Sequence, residues 1–364
     1  MWRFRALFAA VAAAALVTGC GGGGDDGAVS PPPPSPYVKI SAANQDAVAR
    51  ASIASIMPFV AVPVVGGSAS PALAKTAQAG ATSALGMHGG LAHLALRALD
   101  FGAKQATAAA PGMARPLAQL PPETVPCMVS GTYTVTVADK DNSKSVSIGD
   151  TLSLSFSQCD DGDGPVNGGM ALTIATYSLT PNVEDVTGSI TFQSLAIASE
   201  PFSYSLSGGA TFRFTFTLKT DGEELLSSFT VASGGMTVAR QAVVAGGLSD
   251  SYSYRAGFTV SDRDFMSTAQ GVPSSEIITA SGDFGLQSLG GDLNLSTVTP
   301  FKSVFTDPYG DIFPSEGQLL VSGGDGTKLR LTATQTVQVL MEMSDDSDAD
   351  WESSKFVTWD WLLS

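Results

Sequence analysis

From Cys127 to the end of the chain, apolar and polar residues alternate with a period of two. Phe212, Phe214, Phe216 and Leu218 are separated by Arg213, Thr215 and Thr217. Leu152, Leu154 and Phe156 alternate with Ser153 and Ser155, and Tyr133, Val135 and Val137 repeat the pattern, as do Val337, Val339 and Met341. Strict alternation puts one face of a strand in a core and the other in water, the habit of antiparallel sheets. Asp221-Gly222 between Leu218 and Leu225 predicts a hairpin turn. Gly-Gly pairs at 208–209, 234–235, 246–247, 290–291 and 323–324 punctuate the rest as further turns. Segments opening on Gly131, Gly169, Gly188, Gly209, Gly235, Gly257, Gly282 and Gly317 form a loose repeat of one hairpin each. No side-chain code recurs with it, so the reading is an up-and-down meander and not a solenoid. Roughly a dozen strands are too many for a flat open sheet, which should curl or close.

Residues 37–126 follow a different period and read as helix and linker. Asn44 is an N-cap candidate, with Ile53, Ile56, Met57 and Val60 at helical spacing and Pro58 ending the helix near Met57. A second helix is expected from about Thr82 to Ala108, and Pro111 to Pro126 as a linker. A curled sheet needs something to fill its concave side, and small Ala-rich helices suit that place. The expected fold is mainly β: a large curved antiparallel meander or partly closed barrel over 127–364, with the helical segment packed on its concave face.

The first 36 residues do not belong to that fold. Arg3 and Arg5 precede an apolar run from Ala6 to Leu16, too short to span a bilayer as a helix. Leu16-Val17-Thr18-Gly19-Cys20 follows, and then four glycines. These residues resemble the lipobox of bacterial lipoproteins. The resemblance implies a signal peptide over 1–19 and Cys20 as the acylated new N-terminus, carrying a diacylglycerol and a third acyl chain. Gly21 stands where an Asp would resemble an inner-membrane retention signal, so the outer membrane is the expected location. Residues 20–36 read as a tether, flexible in its Gly run and stiff through Pro31 to Pro34. The chain as a whole resembles large uncharacterised β-rich outer-membrane lipoproteins of Gram-negative bacteria. At the level of architecture, a helix laid in a curved sheet is also similar to the periplasmic lipoprotein carriers.

Composition narrows the function classes. The formal net charge is −15, and it is uneven. Residues 1–125 carry eight Lys and Arg against five Asp and Glu, whereas residues 126–364 carry eleven against 29. An acidic domain of that kind repels phosphate backbones, which argues against nucleic acid as a partner. With Cys20 assigned to lipid, Cys127 and Cys159 are the remaining thiols. In an oxidising compartment the expectation is a bridge between them rather than two separate buried thiols.

Chemical signatures are few. The two histidines, His88 and His93, are five apart and do not share a helix face. There is no Gly-x-Ser-x-Gly elbow, Ser-x-x-Lys pair, phosphate loop or dinucleotide fingerprint. Asp346, Asp348 and Asp350 have the one-three-five spacing of a calcium loop, without its Gly and its Glu at position twelve. Asp160-Asp161-Gly162-Asp163-Gly164 is a second acidic loop, and a solvated turn is the competing reading of each. Val357, Trp359, Trp361 and Leu363 fall on one face of an expected last strand, either as its core face or as a stacking platform for a sugar or lipid. The expectation is a non-enzymatic outer-membrane lipoprotein that has an envelope structural or interaction role. It holds to the membrane through its anchor and meets an apolar ligand between helix and sheet, or an envelope protein. Calcium is the one cofactor with a candidate site. A surface-exposed binding or adhesion module is the alternative. A hydrolase comes third, and a transmembrane barrel fourth, which would need outward apolar bands with aromatic girdles.

Overall fold

The computed structural model describes residues 37–59 and 122–363, apart from loop positions 142, 144–146, 161–163, 181, 200–201, 219–223, 243–248, 268–271, 305–312, 335–336, 347 and 349. The leader, Cys20, the tether and the expected second helix with His88 and His93 lie outside the described residues.

Among the described residues, the alternating stretches fold as sixteen strands of one antiparallel sheet. They are β1 Glu123–Pro126, β2 Ser130–Ala138, β3 Thr151–Asp160, β4 Val166–Leu179, β5 Val183–Ser199, β6 Phe202–Leu218, β7 Glu224–Ser233 and β8 Thr237–Ala242. There follow β9 Asp250–Tyr254, β10 Thr259–Ser267, β11 Val272–Leu286, β12 Gly291–Val304, β13 Glu316–Ser322, β14 Lys328–Ala333, β15 Gln338–Ser344 and β16 Ser353–Thr358. Strands β7 and β8 lie end to end along β6, and β9 and β10 lie end to end along β11. They also pair with each other, β7 with β10 and β8 with β9. Sixteen strands therefore make fourteen rows in chain order, an up-and-down meander with no crossover. The sheet starts four residues earlier than the period suggested: β1 occupies the end of the expected linker, because Glu123 to Pro126 find partners in Val135 to Thr132.

Register makes the inner face continuous. Val135, Leu154, Met170 and Phe192 stand side by side across β2 to β5, and Tyr254, Phe284 and Leu293 do so across β9, β11 and β12. All seven are buried in a single core. The sheet curls round this face. Arg240 of β8, in the seventh row, reaches the carbonyl of Leu363, just beyond β16 in the fourteenth. Among the described residues, no pairing joins β1 to β16.

Among the described residues, two short helices sit on the inner face. Helix α1 (Gln45–Ala54) begins at Asn44, whose side chain does not cap the helix but accepts from Ser41 N–H at 2.8 Å. It ends before Pro58, as expected. The chain reaches it along the sheet: Val38 N–H donates to the Asp292 carbonyl, and Ile40 N–H to Thr327 Oγ1, each at 2.9 Å. Val48, Ala49 and Ile53 of α1 are buried. Helix α2 (Trp359–Leu363) follows β16 directly.

The Gly repeat has a different place from the one expected. Gly290-Gly291 and Gly323-Gly324 do lie at turns, but Gly208-Gly209 is in mid-strand and Gly234-Gly235 lies at the break between β7 and β8. Residues 246–247, like the Asp221-Gly222 turn, are outside the described residues, although the strands flanking that turn pair as a hairpin. Gly131, Gly168, Gly208, Gly235, Gly257 and Gly282 all have positive φ. They sit at or beside register shifts in adjacent rows, at Ser130/Thr132, Asn167/Gly169, Phe192/Leu195 and Ile278/Ser281, or at the two strand breaks. The result is a seam of bulges across the sheet. Bulges bend a strand and raise its twist, which is how a broad sheet curls. At Gly208 (φ 87°) a Cβ would come within 2.6 Å of the Gly235 carbonyl, and at Gly282 (φ 116°) within 2.6 Å of Phe258 Cα. Neither position can carry a side chain without moving its neighbour strand.

Candidate functional site

The inner face ends in two chemically distinct regions. The first is aromatic. The Tyr254 hydroxyl donates to the Ser55 carbonyl just past α1 at 2.7 Å. Phe59 meets the Tyr254 ring edge-on at 5.1 Å between centroids, and Phe258 lies 4.7 Å from Tyr254. Tyr252 and Phe284 extend the cluster at 6.3 Å. Burial raises Tyr254 well above the usual tyrosine range.

The second region is built round Arg240. Period two along β8 turns Val238 and Arg240 to the same side, so an arginine occupies a core position; it is 4% exposed. Its guanidinium lies over the Phe202 ring at 3.3 Å from the centroid. Nη2 donates to the Leu363 carbonyl at 3.1 Å, while the buried Nε has no hydrogen-bond partner among the described residues. Its cross-strand neighbours are Tyr204 and Asp250. Asp250 turns away: its carboxylate accepts from Ser251 N–H at 2.7 Å, Ser288 N–H at 3.2 Å and the Ser288 hydroxyl. Tyr204 is pushed up to about 12 by burial, and Tyr252 is raised for the same reason, with the Arg240 charge opposing both shifts. Arg50 of α1 faces the same region, 5.8 Å from the Trp361 ring; burial and the like charge of Arg240 lower its pKa. Asp46, the acid nearest Arg50 on α1, pairs with Lys355 at 2.6 Å.

Carboxylates gather elsewhere. Asp262 and Glu276 are buried at inner positions of β10 and β11, and Ser303 lies opposite Glu276. In the β2–β3 loop, Asp139, Asp141 and Asp150 bring carboxylate oxygens within 4.8 Å of one another and can hold a metal ion. They stand at positions one, three and twelve of a twelve-residue loop, with Lys144 where a calcium loop has Gly. This loop is not among the acidic loops expected from sequence, although its one-three-twelve spacing is a signal the sequence carries. Hydrogen bonds already hold its described residues: Asp150 accepts from Lys140 N–H at 2.9 Å and Ser147 N–H at 2.7 Å, and Asp139 from Ser143 N–H at 3.2 Å.

The residues expected from sequence fall out as follows. Cys127 and Cys159 form a disulfide, with Cα atoms 5.4 Å apart, tying the β1–β2 turn to the end of β3. Asp346, Asp348 and Asp350 form successive turns, Asp348 N–H donating to Asp346 and Asp350 N–H to Asp348, each at 2.9 Å. The carboxylates that converge there are instead Asp345, Asp346 and Glu352, all exposed. Asp160 accepts from Gly164 N–H at 3.2 Å, and residues 161–163 are outside the described residues. Trp359 and Trp361 are not on one strand face, because the strand stops at Thr358. Its hydroxyl accepts from Trp361 N–H at 3.2 Å and starts α2. Trp359 is buried between Phe301 and Phe313, at 5.9 and 6.1 Å, while Trp361 lies near Arg50 and Lys355. Trp359 is therefore part of the core, and Trp361 packs partly buried against it.

No helix among the described residues is long and apolar enough to cross a membrane. No protein-family model, curated protein or solved structure matches the chain.

Proposed function

We propose that this chain is a non-enzymatic lipoprotein of the outer membrane, anchored through Cys20, that binds an apolar ligand between its helical segment and its sheet. The observation that carries the ligand reading is the inner face: apolar side chains run across the rows of a curled sheet, broken at Arg240, Asp262 and Glu276. An eight-stranded barrel is already wide enough for its side chains or one small ligand, and fourteen rows enclose more. Cys20 and its flanks support the anchor. One variant tests both halves. Cys20→Ser should leave the membrane pellet and lose palmitate labelling; retention of both sinks the anchor. The detergent-free Cys20→Ser protein should carry lipid in near-stoichiometric amount by mass spectrometry, and a lipid-free protein sinks the ligand.

The outer face favours a second reading, a surface-exposed binding module. Thr187, Thr211 and Thr230 line an open groove of about 350 Å³ over the small residues Ala175, Gly188 and Ala232. Arg213 at its rim is fixed by two bonds to Asp185, at 3.0 and 2.9 Å. Protease shaving of intact cells separates the readings: a protein facing the periplasm survives and a surface module does not.

A further inference from the structure

We infer that Arg240, with Tyr204 and Tyr252 beside it, is the site for the carboxylate of an amphiphile whose tail lies along the inner apolar face. The inference deepens the ligand reading above and rests on it. A buried guanidinium is costly unless an anion or a full set of acceptors meets it. Here the acceptor is the Leu363 carbonyl, at the end of α2, where a cation is favoured. It takes one N–H, Tyr252 lies within hydrogen-bond reach and Phe202 stacks beneath, but the charge meets no bonded carboxylate among the described residues and Nε has no partner there. Asp250, the acid directly opposite Arg240 in register, is held by Ser251 and Ser288. Asp46 is held by Lys355. What remains among the described residues at this end of the core are donors: the Arg240 fork, two tyrosine hydroxyls, and Arg50 adding positive potential.

Among the described residues Asp250 and Asp46 act on this region only from a distance, and donors that converge with no carboxylate bonded to them specify an anion. Three features narrow its class. The guanidinium edge presents parallel N–H groups that match the two oxygens of a carboxylate. Phe202 beneath it fixes the plane in which those groups point. The surroundings are apolar: Val238 pairs in register with Leu206 on one side and Tyr252 on the other, and all three are buried. A bare acetate gains nothing from such walls, whereas a fatty acid buries its chain against them at about 0.8 kcal/mol per CH₂.

The test is calorimetric titration of the full-length Cys20→Ser chain at neutral pH with dodecanoate, dodecanol and acetate. Dodecanoate should bind one to one, with dodecanol and acetate at least about tenfold weaker. Arg240→Met should reduce dodecanoate to the level of dodecanol. Should that variant fail to fold, Tyr204→Phe with Tyr252→Phe removes only hydroxyls and should weaken dodecanoate about tenfold or more while leaving dodecanol unchanged. Equal binding of dodecanoate and dodecanol overturns the carboxylate site and leaves the apolar ligand reading standing. Equal binding of acetate overturns the amphiphile. Binding of none of them overturns both readings.

Discussion

At the scale of single residues, the informative positions are polar groups standing where the period of two puts core. Arg240 follows Val238, Asp262 follows Val260, and Glu276 precedes Ile278 at the same parity. Strict alternation carried that signal in the sequence, but a polar residue in a strand is so often outward that single exceptions pass unnoticed. What they contact depends on which strands become neighbours, and a sequence does not show that. Buried tyrosines belong to the same class and give a pH dependence. The folded pKa of Tyr204, about 12, and that of Tyr254, higher than usual, both lie above the unfolded value near 10. Their contribution to stability is therefore present in full below pH 10 and is lost as pH rises through 10 towards 12. Denaturant midpoints measured from pH 8 to 12 should fall along this limb, and Tyr204→Phe should flatten it. A limb of unchanged steepness in Tyr204→Phe would assign the alkaline loss to other groups.

At the scale of elements, strands were legible and bends were not. Phe212 and Phe214, or Leu152, Leu154 and Phe156, declare an inner face from sequence, and each is buried. The glycines declared only that the chain departs from regular geometry. Gly290 departs by turning and Gly208 by bulging in mid-strand, and both look alike as Gly-Gly. The last element misled for a related reason. Thr358-Trp359-Asp360-Trp361 alternates like a strand, yet Thr358 also caps a helix, and packing of Trp359 on Phe301 and Phe313 decides for the helix. The seam can be tested by a paired substitution. Gly235 and Gly282 both have positive φ, 105° and 116°, but only Gly282 has backbone against its missing side chain. Gly235→Ala should cost about 1–3 kcal/mol from backbone strain alone, and Gly282→Ala measurably more. Equal losses would mean the rows can part at the seam without cost. The disulfide is a second element-scale test. It spans 32 residues, so Cys127→Ala with Cys159→Ala should lose about 3–4 kcal/mol in chemical denaturation.

At the scale of the whole molecule, residues 37–59 and the sheet form one core. The expectation that a helical segment fills the curled sheet rested on what a concave apolar face requires; α1, ten residues of that segment, packs there, and the expected second helix lies outside the described residues. The helix is too short to hold its shape alone in water. It is held instead by buried Val48 and Ile53, by the Asp46–Lys355 pair, and by Phe59 between Tyr254 and Phe258. The dependence is mutual, since Phe59 is 2% exposed and the Tyr254 hydroxyl has the Ser55 carbonyl as its acceptor. Removing the Phe59 ring should therefore act on the sheet and not on the helix alone. Phe59→Ala is expected to lose about 3–5 kcal/mol, as large truncations in a packed core do. The loss should appear in one transition, followed equally by far-ultraviolet signal from the strands and by fluorescence from Trp359 and Trp361. Two separated transitions, with the strand signal unmoved, would show that α1 is an appendage. The sheet would then be stable by itself, and the fourteen rows would need another explanation for the covering of their inner face.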